Sequence, residues 1–414
     1  MSPSTVIVGG SVGGIRTAQA LRSNGYVGEV VVIDAEPHVP YDKPPLSKSF
    51  LDNSLEADRI RLISEPEVVE SRIDLRLGNK AAGVDLSNRM VVLENGDVVP
   101  YDDLVLATGV RARPSPWEAS DGVHLLRTLD DAQRLKEDLA GARSAVIVGA
   151  GFIGAEVAAT VKKLGLEVAV VDPLEIPIGQ VLGADVGSRF VGLHHANGVA
   201  THYGTGVDFI TGSRGDLVVG LSNGVELTGD VVVVGIGAVP NVEWLASSGL
   251  ALDNGLVCDE YCRAVGQPNV YGVGDIARWF HPRKKQLVRV EHWTNAVEQA
   301  VCVAKNIVRP SEPTSYAPIP YVWSDQYDWK IQIAGETAMA EDVVIIDDPA
   351  NKERFAAVYG DSKGTYCGAA TVNWPRAMVQ CRRMLEGEFD LSEPVGVLRQ
   401  MVSSSSKLRS ASAD

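Results

Sequence analysis

The chain has 414 residues, 45% of them hydrophobic and 22% charged, enough for two or three domains that each bury a core without disulfides or metal. Its formal net charge of −15 argues against nucleic acid as a partner, because a phosphate backbone is bound by clustered positive charge. No apolar run reaches the ~20 residues that span a bilayer, and no basic stretch precedes an apolar leader, so a cytoplasmic protein away from membranes is expected.

Thr5–Val8 is a β-branched run, Ile15–Arg22 has helical spacing, and Glu29–Ile33 is again β-rich and ends at Asp34, which makes one βαβ unit. The turn Gly9-Gly-Ser-Val-Gly-Gly14 carries Ser11 where a dinucleotide-binding turn has its second glycine. A β-carbon there would narrow the approach of a pyrophosphate, with Gly10 and Gly13 as compensation. Asp34 and Glu36 both stand where an acid could hold an adenosine ribose. Tyr101–Gly109 and the Pro/Arg-rich stretch Arg111–Pro116 then read as a strand and a linker.

A second copy follows: Ala145–Val148, a complete GxGxxG at Gly149–Gly154, a helix over about Ile153–Leu164, and Glu167–Val171 ending at Asp172. Glycines at these three positions allow the tight turn, the close approach of a pyrophosphate and the packing of helix on strand. Asp172 at the strand end accepts from a ribose 2′-hydroxyl and repels a 2′-phosphate, so NADH is expected over NADPH. Asp230–Pro240 closes this unit and returns the chain to the first domain. From about Pro318 shorter segments, Trp329–Ile333 and Val343–Ile346, precede a helix near Pro375–Leu385. The expected fold is α/β: two Rossmann-like domains, 1–110 with 240–317 and 111–239, a small α+β domain over 318–402, and a disordered tail over 403–414 that includes the run Ser403–Ser406.

The segment Val39-Pro-Tyr-Asp-Lys-Pro-Pro-Leu-Ser-Lys48 resembles the FAD-dependent ferredoxin reductases of bacterial oxygenase systems, the putidaredoxin reductase and biphenyl dioxygenase reductase type. The likeness recurs in Leu104–Gly109, Leu126–Thr128, Gly149–Glu156, Gly235–Asn241, Val270–Asp275, Arg289–Ala296 and Pro320–Gln326. More distantly the chain is similar to apoptosis-inducing factor and glutathione reductase. Beside Gly9 and Asp34 of the turn read above, the resemblance implies FAD held by Gly13 and Gly14 at the pyrophosphate, Glu36, Lys43 and Arg127 around adenosine and phosphates, and the backbone of Ala82 near the adenine. Thr108 and Gly109, Asp275 on the ribityl chain, Trp293 beside the ring system, Trp323 and Lys48 near the reactive edge complete that set. For NADH it implies Gly149, Gly151, Phe152, Ile153, Gly154, Asp172 and Gly237, with Glu156 orienting the nicotinamide. Lys48 and Glu156 are the expected catalytic pair, acting by charge and placement because hydride transfer is the cofactors' own chemistry.

The implied reaction passes a hydride from NADH to FAD and single electrons to a 2Fe–2S ferredoxin that feeds a P450 or Rieske oxygenase; the alternatives are a rubredoxin reductase or an NADH-binding flavoprotein of the apoptosis-inducing-factor kind. A disulfide reductase on the same fold needs a cysteine near the flavin early in the chain, and the five cysteines begin at Cys258, with neither CxxC nor zinc-ligand spacing, so no metal site is expected. Arg278, His281, Arg283, Lys284, Lys285 and Arg289 form a basic run in an acidic chain. A solvated face is its simpler reading, and a docking patch for an acidic ferredoxin the sharper one.

Overall fold

The computed structural model describes residues 3–117 and 121–410. They form two compact units: Met1–Lys43, Glu56–Arg111 and Ala238–Pro318 in the first, Pro44–Leu55, Ala112–Gly237 and Ile319–Asp414 in the second.

In the first unit a parallel sheet runs in the order Val270–Gly272, Asp103–Leu106, Ser4–Val8, Glu29–Ile33, Ile73–Arg76, with Thr5 opposite Val30 on one side and Asp103 on the other. Parallel strands are covered on both faces, which is why they read as unbroken β-branched runs. Val6, Ile7, Val30 and Val32 are buried accordingly. Helices Val12–Ser23 and Trp293–Val308 pack against each other over this core. The unit also holds two three-stranded sheets, one from Ala81–Asp85, Met90–Leu93 and Val98–Pro100, the other from Leu256–Cys258, Ala277–His281 and Gln286–Val288.

The second unit repeats the arrangement in the order Ala200–Tyr203, Glu167–Asp172, Ser144–Val148, Val231–Val234, Val123–His124, again parallel. It also holds an antiparallel sheet of Tyr321–Gln326, Trp329–Gly335, Tyr366–Val372, Asn351–Gly360 and Asp342–Asp348. One face of that sheet buries Ile331, Ile333, Phe355 and Val372 with Leu182 and Phe190 of the preceding helices. Its other neighbours are Met378 and Leu398 of the last two helices.

Two expectations change. Pro44–Leu55, assigned from sequence to the first domain, belongs to the second unit. Leu51 is buried among Leu135, Leu139 and Val157, and Lys163 of helix Phe152–Lys163 pairs with Asp52 at 2.6 Å. The serine-rich segment after 402, expected to be disordered, continues helix Ser392–Ser410. Val395 and Leu398 anchor that helix, and Ser403 and Ser404 turn their hydroxyls back onto the carbonyls of Arg399 and Gln400, a pattern that consumes serine's capacity to compete with the helix. Residues 411–414 lie outside the described residues.

Candidate nucleotide and hydride-transfer site

The two glycine turns superimpose in their constraints. Gly9 and Gly149 have φ of +108° and +100°, and a Cβ on either would stand 2.3 Å from a carbonyl oxygen, that of Ala107 or Gly235. A Cβ on Gly14 or Gly154 would lie 1.9 Å from the carbonyl oxygen of Gly9 or Gly149, so only glycine lets the helix sit this close to the strand. At the middle position Gly151 has φ −67° and ψ −179°, and a Cβ there meets nothing within 4 Å: the cradle is open where a pyrophosphate has to approach. Ser11 takes the same extended conformation, φ −79° and ψ −166°, so it does not distort the first turn. Neither helix is capped by a side chain at its start, which leaves amide N–H groups aimed out of each turn for an anion. Both turns therefore fit a dinucleotide.

The acids divide their labour. Asp34 accepts from the Gly10 and Glu36 amides at 3.1 and 3.2 Å, and Asp172 accepts from the Ala150 and Leu174 amides at 2.8 and 2.9 Å. The two carboxylates are equivalent staples that lock turn to strand end. Desolvation holds the Asp34 carboxyl above the ordinary aspartate range. Glu36, the other candidate, instead accepts from Lys43 Nζ at 3.0 Å and from the Tyr41 hydroxyl, and stays 25% exposed. In the second turn the residue two beyond the staple is Leu174, so that turn has no counterpart to Glu36.

A buried polar cluster lies in the second unit. Glu156, one turn into helix Phe152–Lys163, is 3% exposed. Its Oε2 accepts from Lys48 Nζ at 2.6 Å and from Ser47 Oγ at 2.6 Å, and its Oε1 accepts from Ser324 Oγ at 2.7 Å. Lys48 follows the 3₁₀ turn Pro44–Ser47, and Ser324 lies inside strand Tyr321–Gln326. Thr160, on the same helix face as Glu156, donates to the Ser47 carbonyl at 2.8 Å. Lys48 and Glu156 are both expected from the sequence to act at this site, whereas Ser47 and Ser324, which lie inside the segments Val39–Lys48 and Pro320–Gln326, carry no signal of their own there.

The remaining candidates distribute as follows. Ala82 sits at a register shift between Ala81 and Gly83, where a strand residue's backbone groups leave the ladder. Thr108 donates its hydroxyl to the Asn241 carbonyl at 3.0 Å, and Asn241 returns an amide to the Thr108 carbonyl at 2.8 Å, beside Gly109 at φ +61°. Asp275 lies in the turn Gly274–Ile276, and Trp293, first residue of its helix, donates Nε1 to Asp42 at 2.7 Å. Arg127 and Trp323, expected around the flavin nucleotide, belong with Lys48 to the second unit. There the Arg127 amide enters the Thr128–Asp131 capping box, and Trp323 stacks on Tyr321 at 6.4 Å. Phe152 is half-buried, Ile153 is 50% exposed, and Gly237 has φ +106°.

The basic run is a β-hairpin, Ala277–His281 and Gln286–Val288, with Lys285 in the left-handed region at its tip. It is not one open cationic face. Arg278 pairs with Asp253, Arg289 pairs with Glu291 at 2.6 Å, and Arg283 donates to the Ala317 carbonyl, so the positive charge left over concentrates at the tip.

Residues 3–300 match the pyridine nucleotide-disulphide oxidoreductase family, and residues 321–395 match the reductase C-terminal family. The chain belongs to the pyridine nucleotide-disulphide oxidoreductases. Within that family it is 37% identical to rhodocoxin reductase of Rhodococcus erythropolis over 94% of this chain and 91% of the relative. It is 35% identical to the ferredoxin–NAD(+) reductase component of the anthranilate 1,2-dioxygenase system of Burkholderia cepacia over 92% and 93%. Among solved structures, the ferredoxin reductase for the CYP199A2 system from Rhodopseudomonas palustris superimposes with a TM-score of 0.89 at 33% identity, covering 94% of this chain and 96% of that one. The reductase of the covalent putidaredoxin reductase–putidaredoxin complex does so with 0.87 at 30%, covering 92% and 93%. This pyridine nucleotide-disulphide oxidoreductase has Ser47 and Lys48, and no thiol, beside its buried carboxylate, and its five cysteines are free.

Proposed function

We propose that this oxidoreductase oxidises NADH with FAD as its resident cofactor and delivers electrons singly to a 2Fe–2S ferredoxin serving a P450 or Rieske oxygenase. The observation that carries the reading is the repeated glycine turn, each copy closed by an aspartate that accepts from the turn's backbone amide and opening on uncapped amides; similarity to ferredoxin reductases along more than nine-tenths of the chain supports the choice of acceptor. When bound, NADH supplies a hydride, and FAD splits the electron pair into single electrons.

The rest is the work of the chain. We assign FAD to the turn Gly9–Gly14 with Glu36, Lys43, Ala82, Thr108, Gly109, Asp275 and Trp293, and NADH to the turn Gly149–Gly154 with Asp172 and Gly237. Lys48 places a cation, and Glu156 an oriented acceptor, in a water-poor setting where each acts more strongly than in water. The third domain over 318–402 is assigned the part of covering that pair with strand Tyr321–Gln326. Among the described residues no helix is long and apolar enough to cross a membrane. A cytoplasmic setting agrees with the absence of disulfides among those residues.

Anaerobic titration tests this directly. NADH should bleach the oxidised flavin bands at much lower concentration than NADPH, and a 2Fe–2S ferredoxin should accelerate NADH turnover. A protein that binds no FAD would refute the assignment, and rubredoxin outpacing ferredoxin would change the acceptor.

A further inference from the structure

An ionised carboxylate accepts at about four lone-pair positions. Three of those on Glu156 are taken, by Lys48 and Ser47 on Oε2 and by Ser324 on Oε1. Among the described residues, one acceptor position on Oε1 is therefore left. Each serine has a single hydroxyl proton: Ser324 commits it to this carboxylate at 2.7 Å, and Ser47 does so at 2.6 Å in preference to the Pro44 carbonyl at 3.4 Å. The Ser324 oxygen in turn accepts weakly from Gln326 Nε2 at 3.4 Å, which fixes the direction of its own bond. The two serines come from elements that hold them stiffly. Ser47 is tied again to the helix of Glu156 through Thr160, and Ser324 lies mid-strand opposite Ile331, 1% exposed. Three donors on two rigid supports leave Glu156 little freedom to turn about its terminal torsion.

We infer that Ser47 and Ser324 are positioning residues that aim the last acceptor of Glu156 at the carboxamide N–H of a nicotinamide. The inference rests on the assignment of Glu156 to the nicotinamide. A donor is required because the open position is an acceptor, and a carboxylate in the same place would meet the anion. Ser324→Ala frees Oε1 to accept elsewhere or to rotate, and Ser47→Ala does the same for Oε2 from a different element, so the two variants are independent tests should one fold poorly.

The experiment titrates the FAD-loaded protein with NAD+ and, separately, with ADP-ribose, which has the same adenosine and pyrophosphate but no carboxamide. Ser324→Ala and Ser47→Ala should each weaken NAD+ by roughly tenfold, the size of one hydrogen bond to a charged group, while ADP-ribose binds as to wild type. Ser324→Thr, which keeps the hydroxyl, should restore NAD+ binding. Equal losses for the two ligands, or none for either, would overturn the positioning role. Glu156→Gln is the control for the underlying assignment: wild-type discrimination between NAD+ and ADP-ribose in that variant would remove Glu156 from the nicotinamide itself, whatever the serines do.

Discussion

At the scale of single residues, the Lys48–Glu156 pair sets the energetics. Both charges have left bulk water, with side-chain exposures of 19% and 3%, and the desolvation of such a pair is offset only by close geometry and further hydrogen bonds. Ser47 and Ser324 supply those bonds. Removing one partner strands the other, so Lys48→Met should lower unfolding free energy by about 3 kcal/mol in urea titration. The double variant Lys48→Met with Glu156→Met should cost less than the single one, because no uncompensated charge remains. Strictly additive losses would show that the two charges are not energetically coupled. The aspartates teach a complementary lesson. From sequence, Asp34 and Asp172 read as ribose ligands by their place at strand ends. In the fold each carboxylate also locks its glycine turn by accepting two backbone amides, which leaves it further acceptor positions, and Glu36, held by Lys43 and Tyr41, stays partly open as well.

Elements follow the local pattern closely where the pattern is strong. The strands Ser4–Val8 and Ser144–Val148 are the β-branched runs, and the helices begin inside the glycine turns, at Val12, three residues ahead of the expected Ile15, and at Phe152, one ahead of the expected Ile153. One element carries a buried titratable link that sequence did not suggest. His194, near the end of helix Ala184–Ala196 and 2% exposed, shares a proton with the Tyr327 hydroxyl at 2.8 Å, in the turn between Tyr321–Gln326 and Trp329–Gly335. Burial, with His195 beside it, pushes the His194 imidazole down to about 4 from its ordinary 6.5. Between those values the unfolded chain takes up a proton that the folded chain refuses. Stability from this group is therefore intact above 6.5 and falls as pH drops towards 4, by up to about 3 kcal/mol. Urea midpoints measured across that window should fall less steeply for His194→Gln than for wild type. Parallel curves would mean that His194 titrates normally in the fold.

At the scale of the whole molecule, charge decides where a partner can dock. A protein of formal net charge −15 repels an acidic ferredoxin at long range, so attraction has to come from a local reversal of sign. The hairpin Ala277–Val288 is that candidate, with Arg278 and Arg289 neutralised by their own acids and Arg283 and Lys285 exposed at the tip. Reversing Arg283 and Lys285 to glutamate should slow ferredoxin reduction roughly tenfold at low salt and flatten its salt dependence, with NADH reduction of the flavin unchanged. An unaltered salt dependence would move the docking surface elsewhere.

Sequence by itself determined the features that are local in the chain: the two βαβ units, the glycines demanded by positive φ and by close packing of helix on strand, and the cofactor class those turns imply. These are legible because the constraint and the residues that meet it lie within about thirty positions, the length of a single βαβ unit. Tertiary structure alone decided which unit Pro44–Leu55 joins, how the basic run is divided among its own acids, and which side chains surround Glu156. Lys48 and Ser324 meet that carboxylate across 108 and 168 residues of chain. No propensity or spacing encodes such a meeting, because it exists only once the sheets have packed and a buried charge has to find its donors.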